Sequence, residues 1–121
     1  MPKMLIVEDE IDIADCLLQF FSTRGFSVVS TFSGEEALDL LEAHSADVIL
    51  LDILLPGLSG IETLKRAKAL HPRAQVVMVT ALDQENLRAE AKRYGAADYI
   101  TKPFELTDDA WATVLRCAPP E

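Results

Sequence analysis

Short apolar runs alternate along this chain with longer stretches in which apolar residues recur every three or four positions. The runs are Met4 to Val7, Val28 to Thr31, Val48 to Leu51, Val76 to Val79 and Tyr99 to Thr101. Val48-Ile49-Leu50-Leu51 and Val76-Val77-Met78-Val79 are apolar at every position, so both faces of each strand must be covered. Parallel strands buried between two helical layers read this way. Ser27-Val28-Val29-Ser30-Thr31 is more polar and suits a sheet edge.

The intervening stretches have helical spacing. Ile13, Cys16, Leu17, Phe20 and Phe21 mark the core stripe of a first helix, which Gly25 stops. Ser33-Gly34-Glu35-Glu36 opens a second, with Ala37, Leu38, Leu40 and Leu41 as its apolar side. Ser59 caps a third that carries Ile61, Leu64 and Leu70 and ends before Pro72. Asp83 is expected to cap a fourth running through Leu87 and Ala91 to Gly95, and Glu105 to Cys117 to form a fifth. The order βαβαβαβαβα predicts an α/β fold, a doubly wound (βα)5 flavodoxin-like sandwich. Right-handed crossovers leave few topologies, of which a parallel sheet in the order 2-1-3-4-5 is the one expected.

Composition narrows the classes. A chain of 121 residues, 50% hydrophobic and 26% charged, reads as one soluble globular domain with a core of its own. We place that domain at residues 1–117, with 118–121 as a tail or the start of a linker, since Pro119 and Pro120 cannot continue a helix. Lys and Arg number 11 against 20 Asp and Glu, a net charge of −9. So acidic a surface argues against direct nucleic-acid binding, which neutralises phosphates with basic groups. It argues equally against an anionic membrane surface. No apolar run approaches the ~18 residues of a membrane span, and the apolar stretch after Lys3 is too short for a signal peptide. Cys16 and Cys117 make neither a disulfide framework nor a zinc site, which suits a reduced, cytoplasmic protein.

The chemistry lies at the strand ends. Glu8 and Asp9 follow the first strand, Asp52 the third, Thr80 the fourth and Lys102 the fifth. In a parallel sheet these ends share one rim, and ligands bind on it where the strand order reverses. For the order 2-1-3-4-5 that point lies between the first and third strands, so Glu8, Asp9 and Asp52 converge. Two carboxylates at ~5 Å and an effective dielectric of ~20 repel by roughly 3 kcal/mol. Protonation or a cation must compensate, and oxygen ligands at few positions suit Mg²⁺. Lys102 adds a positive charge and Thr80 a hydroxyl donor, so the set can hold an anionic phosphoryl group while a carboxylate attacks it. Asp52, between the acidic pair and the Thr and Lys, is the best nucleophile. A single acid after a strand is ordinarily a helix cap or part of a solvated loop; joint placement at four of five strand ends is harder to dismiss.

With these residues in place the chain resembles the CheY-like receiver (phosphoacceptor) domain of two-component response regulators. The resemblance covers residues 3 to about 116. It rests on Val7-Glu8-Asp9-Glu10, on Leu51-Asp52-Ile53-Leu54-Leu55-Pro56-Gly57-Leu58-Ser59-Gly60, on Val79-Thr80-Ala81, and on Gly95-Ala96-Ala97-Asp98-Tyr99-Ile100-Thr101-Lys102-Pro103-Phe104. It implies that Asp52 accepts phosphoryl from a sensor histidine kinase, a phosphotransfer protein or a small phosphodonor. It implies that Asp9, Asp52 and the backbone carbonyl of Leu54 bind Mg²⁺, with Glu8 acting through metal-bound water. Thr80 and Lys102 would contact the phosphoryl oxygens, and Tyr99 would be the aromatic switch. Lys102-Pro103 resembles the family's cis peptide. The implied product is a switch in the face made by the fourth helix, fifth strand and fifth helix, with a homodimer through that face as a candidate. A domain that accepts phosphate and then loses it is not a turnover enzyme.

The first acid is Glu8 where many members have Asp, and the fifth helix is polar early on, with no role apparent for Trp111. The side chains two after Asp52 and two after Thr80, expected beside the hydrolytic water, are both leucine: Leu54 and Leu82. Neither can orient a water, so slow loss of phosphate is expected. Competing readings are a flavodoxin-like cofactor carrier, an aspartyl phosphatase and an interaction module that is not phosphorylated. The carrier needs a phosphate loop where Glu8-Asp9-Glu10 would repel one. The phosphatase usually needs an acid where Leu54 stands.

Overall fold

In a computed structural model, whose described residues are 1–117, five strands alternate with five helices. They are β1 (Lys3–Val7), α1 (Ile11–Ser22), β2 (Ser27–Thr31), α2 (Gly34–Ala43), β3 (Val48–Leu51), α3 (Gly60–Leu70), β4 (Gln75–Thr80), α4 (Glu85–Arg93), β5 (Ala96–Thr101) and α5 (Ala112–Arg116). All strand pairs are parallel, and the sheet order is β2-β1-β3-β4-β5. The expected α/β class and strand order are therefore both present. No helix among the described residues is long and apolar enough to cross a membrane. The tail expected over 118–121 lies outside the described residues.

Successive side chains of a strand point to opposite faces, so each central strand feeds two cores. Met4, Ile6, Val48, Leu50, Val77 and Val79 pack with Leu17, Phe20 and Phe21 of α1 and with Trp111 and Val114. Leu5, Val7, Ile49, Leu51, Val76 and Met78 pack on the other face with Ala37 and Leu41 of α2, Leu64 and Ala67 of α3, and Ala91 of α4. This two-sided burial is why β3 and β4 read as unbroken apolar runs.

The helix ends follow local chemistry in part. Ser33 and Ser59 accept from the backbone N–H of Glu36 and Glu62 and cap α2 and α3 as expected. Asp83 does not cap α4. The capping position is Gln84, which makes no side-chain cap, and Asp83 instead pairs with Arg88 at 3.1 Å. Cys16 is exposed, against expectation. The buried stripe of α1 is Ala14, Leu17, Phe20 and Phe21, and Cys16 stands one residue, about 100° of helix, off Leu17. Leu70, expected on the apolar side of α3, is 43% exposed.

The fifth helix differs most. A turn precedes it, with the Ala110 N–H donating to Thr107 Oγ1 and the Trp111 N–H to the Thr107 carbonyl, so the helix proper is only Ala112–Arg116. Asp108 pairs with Arg24 at 2.5 Å, tying this turn to the end of α1. Thr107, Asp108 and Asp109 favour such local side-chain bonds over helical backbone. The turn also delivers Trp111 to the core. Its indole is fully buried, stacks edge-to-face on Phe21 at 5.4 Å and Phe104 at 5.1 Å, and donates Nε1–H to the Glu105 carbonyl at 2.8 Å.

Trp111→Ala should therefore lower the unfolding free energy in urea by roughly 3–5 kcal/mol, as for other large buried aromatics. A loss under about 1 kcal/mol would mean that Trp111 anchors nothing.

Candidate functional site

Sheet register assembles the rim. Val7 pairs with Leu51, so Glu8 and Asp52 leave adjacent strands side by side. The Asp52 N–H donates to the Val7 carbonyl at 3.1 Å and the Glu8 N–H to the Thr31 carbonyl at 3.0 Å. Thr80 pairs with Thr101, and the Lys102 N–H donates to the Thr80 carbonyl at 2.8 Å before the chain turns at a cis Lys102-Pro103 peptide.

Lys102 reaches back across this rim. Its Nζ lies 2.6 Å from Glu8 Oε1, 2.7 Å from Asp52 Oδ2 and 3.9 Å from Glu10 Oε1. The Glu8 and Asp52 side chains are 2% and 3% exposed, so neither can rely on water to neutralise it. One oxygen from each of Glu8, Asp9 and Asp52 lies within 4.8 Å of the others, and Asp9 is exposed. An all-oxygen set with one exposed member suits a hard cation that keeps part of its water. Glu8, Asp9 and Asp52 thus fit Mg²⁺ by donor chemistry.

Burial pushes the Glu8 carboxyl up to about 7. Hydrogen bonds from Lys102 and the Glu10 backbone pull against that shift, and the Asp52 charge adds to it. Burial pulls the Lys102 ammonium down, but its bonds to Asp52 and Glu8 outweigh burial and raise it overall. Lys102 therefore stays charged and holds the two acids together.

The remaining candidates sit around this pair. The Leu54 N–H donates to Asp52 Oδ1 at 3.0 Å, while the Leu54 side chain is 53% exposed. Thr80 is fully buried, and its Oγ1 accepts from the Leu82 N–H at 3.4 Å. Tyr99 does not join the acidic cluster; its hydroxyl donates to the Leu82 carbonyl. Thr80 and Tyr99 are thus bonded to the two sides of one residue's backbone. His44 and His71 close α2 and α3, and His71 bonds the Leu41 carbonyl at 2.6 Å.

Two participants escaped the sequence reading. Glu10 adds a third carboxylate near Lys102, and its backbone N–H donates to Glu8 Oε2 at 3.2 Å. Its place in the acidic run was the only signal. The Arg88 guanidinium lies 4.6 Å over the Tyr99 ring. No spacing in the sequence connects these two, because α4 must first fold back on β5.

The family model for the response regulator receiver domain matches residues 4–109. Sporulation initiation phosphotransferase F of Bacillus subtilis is 34% identical over 106 residues, covering 88% of this chain and 86% of that protein. Transcriptional regulatory protein CpxR of Escherichia coli is 39% identical over 104 residues, 86% of this chain but only 44% of that protein. The chain therefore spans under half the length of that second relative. Among solved structures, a CheY-like response regulator receiver domain protein from Methanospirillum hungatei superposes with a TM-score of 0.90 at 28% identity, covering 97% of this chain and 94% of that one.

The raised Glu8 carboxyl makes stability depend on pH. A group bound more tightly to its proton when folded stabilises the fold fully below its unfolded value of 4.5 and loses that contribution as pH rises through about 7. Without divalent ions, Glu8→Gln should melt several degrees above wild type at pH 8 and within error of it at pH 4, where Glu8 is protonated in the folded and largely in the unfolded chain. A lower melting temperature for Glu8→Gln at pH 8 would mean that the ion pair with Lys102 outweighs the cost of burial.

Proposed function

The chain belongs to the response regulator receiver domain family, and from that premise we propose that Asp52 is its phosphoacceptor. Receiver domains of this family take phosphoryl groups from histidine kinases or phosphotransfer proteins and bind Mg²⁺ in an acidic pocket. The observation that carries the assignment is the buried Asp52 with Lys102 Nζ at 2.7 Å on one oxygen and a backbone N–H at 3.0 Å on the other. Both donors orient the carboxylate, and its burial keeps competing water away.

In the proposed reaction an Asp52 carboxylate oxygen attacks the phosphorus of a phosphohistidine. A P–O bond to Asp52 forms as the P–N bond breaks, and the imidazole leaves with the electron pair. Lys102 exchanges its bond to the carboxylate for one to a phosphoryl oxygen and stabilises the charge there. Thr80 gives up the Leu82 N–H and donates its hydroxyl to another phosphoryl oxygen. Glu8, Asp9, Asp52 and the Leu54 carbonyl would hold Mg²⁺, which when bound offsets the charge of the carboxylates and the incoming phosphoryl group. The chain is consumed as a substrate and restored by hydrolysis; it is not a turnover enzyme.

Leu82 supplies the link to an output surface. Thr80 and Tyr99 bond its backbone from either side, so turning Thr80 inward alters the site that holds the Tyr99 hydroxyl. Tyr99 can then move, carrying the face of α4, β5 and α5 with it. Only Ala91 of α4 is fully buried, so little packing opposes a shift of that helix. Partner binding or homodimerisation through this face follows as the proposed readout, in a reduced cytoplasmic setting.

Acetyl phosphate with Mg²⁺ should add one phosphoryl group to the protein and none to Asp52→Asn, as read by intact mass. A phosphorylated Asp52→Asn protein would sink the assignment. Lifetime is a separate expectation. Leu54 is exposed beside Asp52 and Leu82 half-buried beyond Thr80, and neither can orient a water in line with the phosphorus. Leu54→Asn combined with Leu82→Glu should speed loss of the phosphorylated mass about tenfold, a fraction of full general-base assistance. Decay no faster than wild type would show that these leucines do not control the water.

A further inference from the structure

Residues 54–59, within the loop between β3 and α3, carry the Leu54 N–H that orients Asp52 and the Leu54 carbonyl proposed as a cation ligand. Most of their described backbone bonds are local. Leu54 bonds Asp52, the Leu55 N–H donates to the Ile53 carbonyl at 3.1 Å, and Ser59 bonds residues of α3. Among the described hydrogen bonds of residues 54–59, the one that reaches an element other than β3 or α3 and their junction runs from the Leu58 N–H to the Glu35 carboxylate, 3.3 Å from each oxygen.

The surrounding contacts are shaped for it. Gly57 has φ +72°, and a Cβ there would come 2.4 Å from Glu35 Oε2. A Cβ on Gly34 would come 2.1 Å from Thr63 Oγ1 and 3.4 Å from the Leu58 carbonyl. Glycine at both positions lets the first turn of α2 press against the loop and the start of α3. An acid in the first turn of a helix ordinarily serves the helix itself, by capping or by favouring its dipole. In α2 that work falls to Glu36, whose N–H donates to Ser33 Oγ at 3.1 Å and whose Oε1 accepts from the Phe32 N–H at 3.3 Å. Glu35 turns away from these groups and toward the loop.

We propose that Glu35 is a positioning residue for the phosphoryl-transfer site: its carboxylate anchors the β3–α3 loop and thereby sets the Leu54 backbone and Asp52 for cation binding. This rests on the reading of Asp52, Asp9 and Leu54 as the Mg²⁺ site. Glu35 touches neither the phosphoryl group nor the cation.

The test compares the full chain with Glu35→Ala, Glu35→Gln and Glu36→Gln. Amide exchange at Leu58 and Leu54 is measured without Mg²⁺, and Mg²⁺ affinity by titration of backbone amide signals. Loss of one hydrogen bond should speed Leu58 exchange and weaken Mg²⁺ binding in Glu35→Ala by about three- to tenfold. Glu35→Gln keeps an acceptor oxygen and should restore both to near wild type. Glu36→Gln removes the same charge one residue away and should leave Mg²⁺ affinity unchanged. Melting temperature should change little in Glu35→Ala, because the side chain is exposed. Unchanged Mg²⁺ affinity in Glu35→Ala would overturn the proposal. So would equal weakening in Glu35→Gln or Glu36→Gln, which would make the effect one of net charge. Phosphorylation by acetyl phosphate is read in parallel with Asp52→Asn as the blank. Its failure would remove the reading of Asp52, while the exchange and Mg²⁺ comparisons would still decide the role of Glu35.

Discussion

Lys102 stands between two carboxylates that burial would otherwise forbid. Its Nζ lies 2.6 Å from Glu8 and 2.7 Å from Asp52, and both acids are almost wholly removed from water. A buried charge without a partner costs several kcal/mol, so these acids need either a proton or a cation beside them, and Lys102 supplies the cation. The sheet order meets that need. β1 and β3 are neighbours and present the acids side by side, while β5, at the far edge, hands Lys102 across the end of β4. Glu8, Asp52 and Glu10 near one ammonium still leave an excess of carboxylates, which a further cation would offset.

The two cores keep these strand ends in register. A slip of one residue would send every inward side chain to the opposite face. The faces are not equivalent. One holds Phe20, Phe21, Phe26 and Trp111, large aromatic surfaces locked by edge-to-face contacts. The other is aliphatic and closed by the small residues Ala37, Ala67 and Ala91. Helix α1 is therefore anchored by four buried residues and α4 by one. Within the face proposed to move, α4 with Arg88 over Tyr99 is the lightly held element, while α5 is tied to the aromatic core through Trp111 and Val114.

Close backbone approach supplies the last constraint. A Cβ on Gly60 would lie 2.0 Å from the Asp52 carbonyl, so α3 can begin against the strand end only with glycine there. The Gly60 N–H donates to the Ile53 carbonyl at 3.0 Å and closes the loop behind Asp52. Together with the contact to Glu35, this confines the loop beside Asp52, as the attack proposed for Asp52 on a phosphorus in line would require.

The α/β class, the strand order and the residues at the strand ends were legible along the chain, because periodicity and polarity act locally and the rules of parallel sheets do the rest. Unbroken apolar runs at Val48–Leu51 and Val76–Val79 could only be doubly covered strands, and the acids and the lysine that follow the strands had one rim to share. Features that depend on contacts between distant segments emerged only with the folded chain. Cys16 shares the spacing of the core stripe but stands off its centre, and the rotation of α1 on the sheet left it in water. The polar stretch from Thr107 became a turn that delivers Trp111 to the core and lets Asp108 meet Arg24. Arg88 met Tyr99, and Glu35 met Leu58, through packing that no local pattern encodes. Hydrophobic period and strand-end chemistry are properties of neighbours in sequence; helix rotation, the length of α5 and the anchoring of the site loop are properties of neighbours in space.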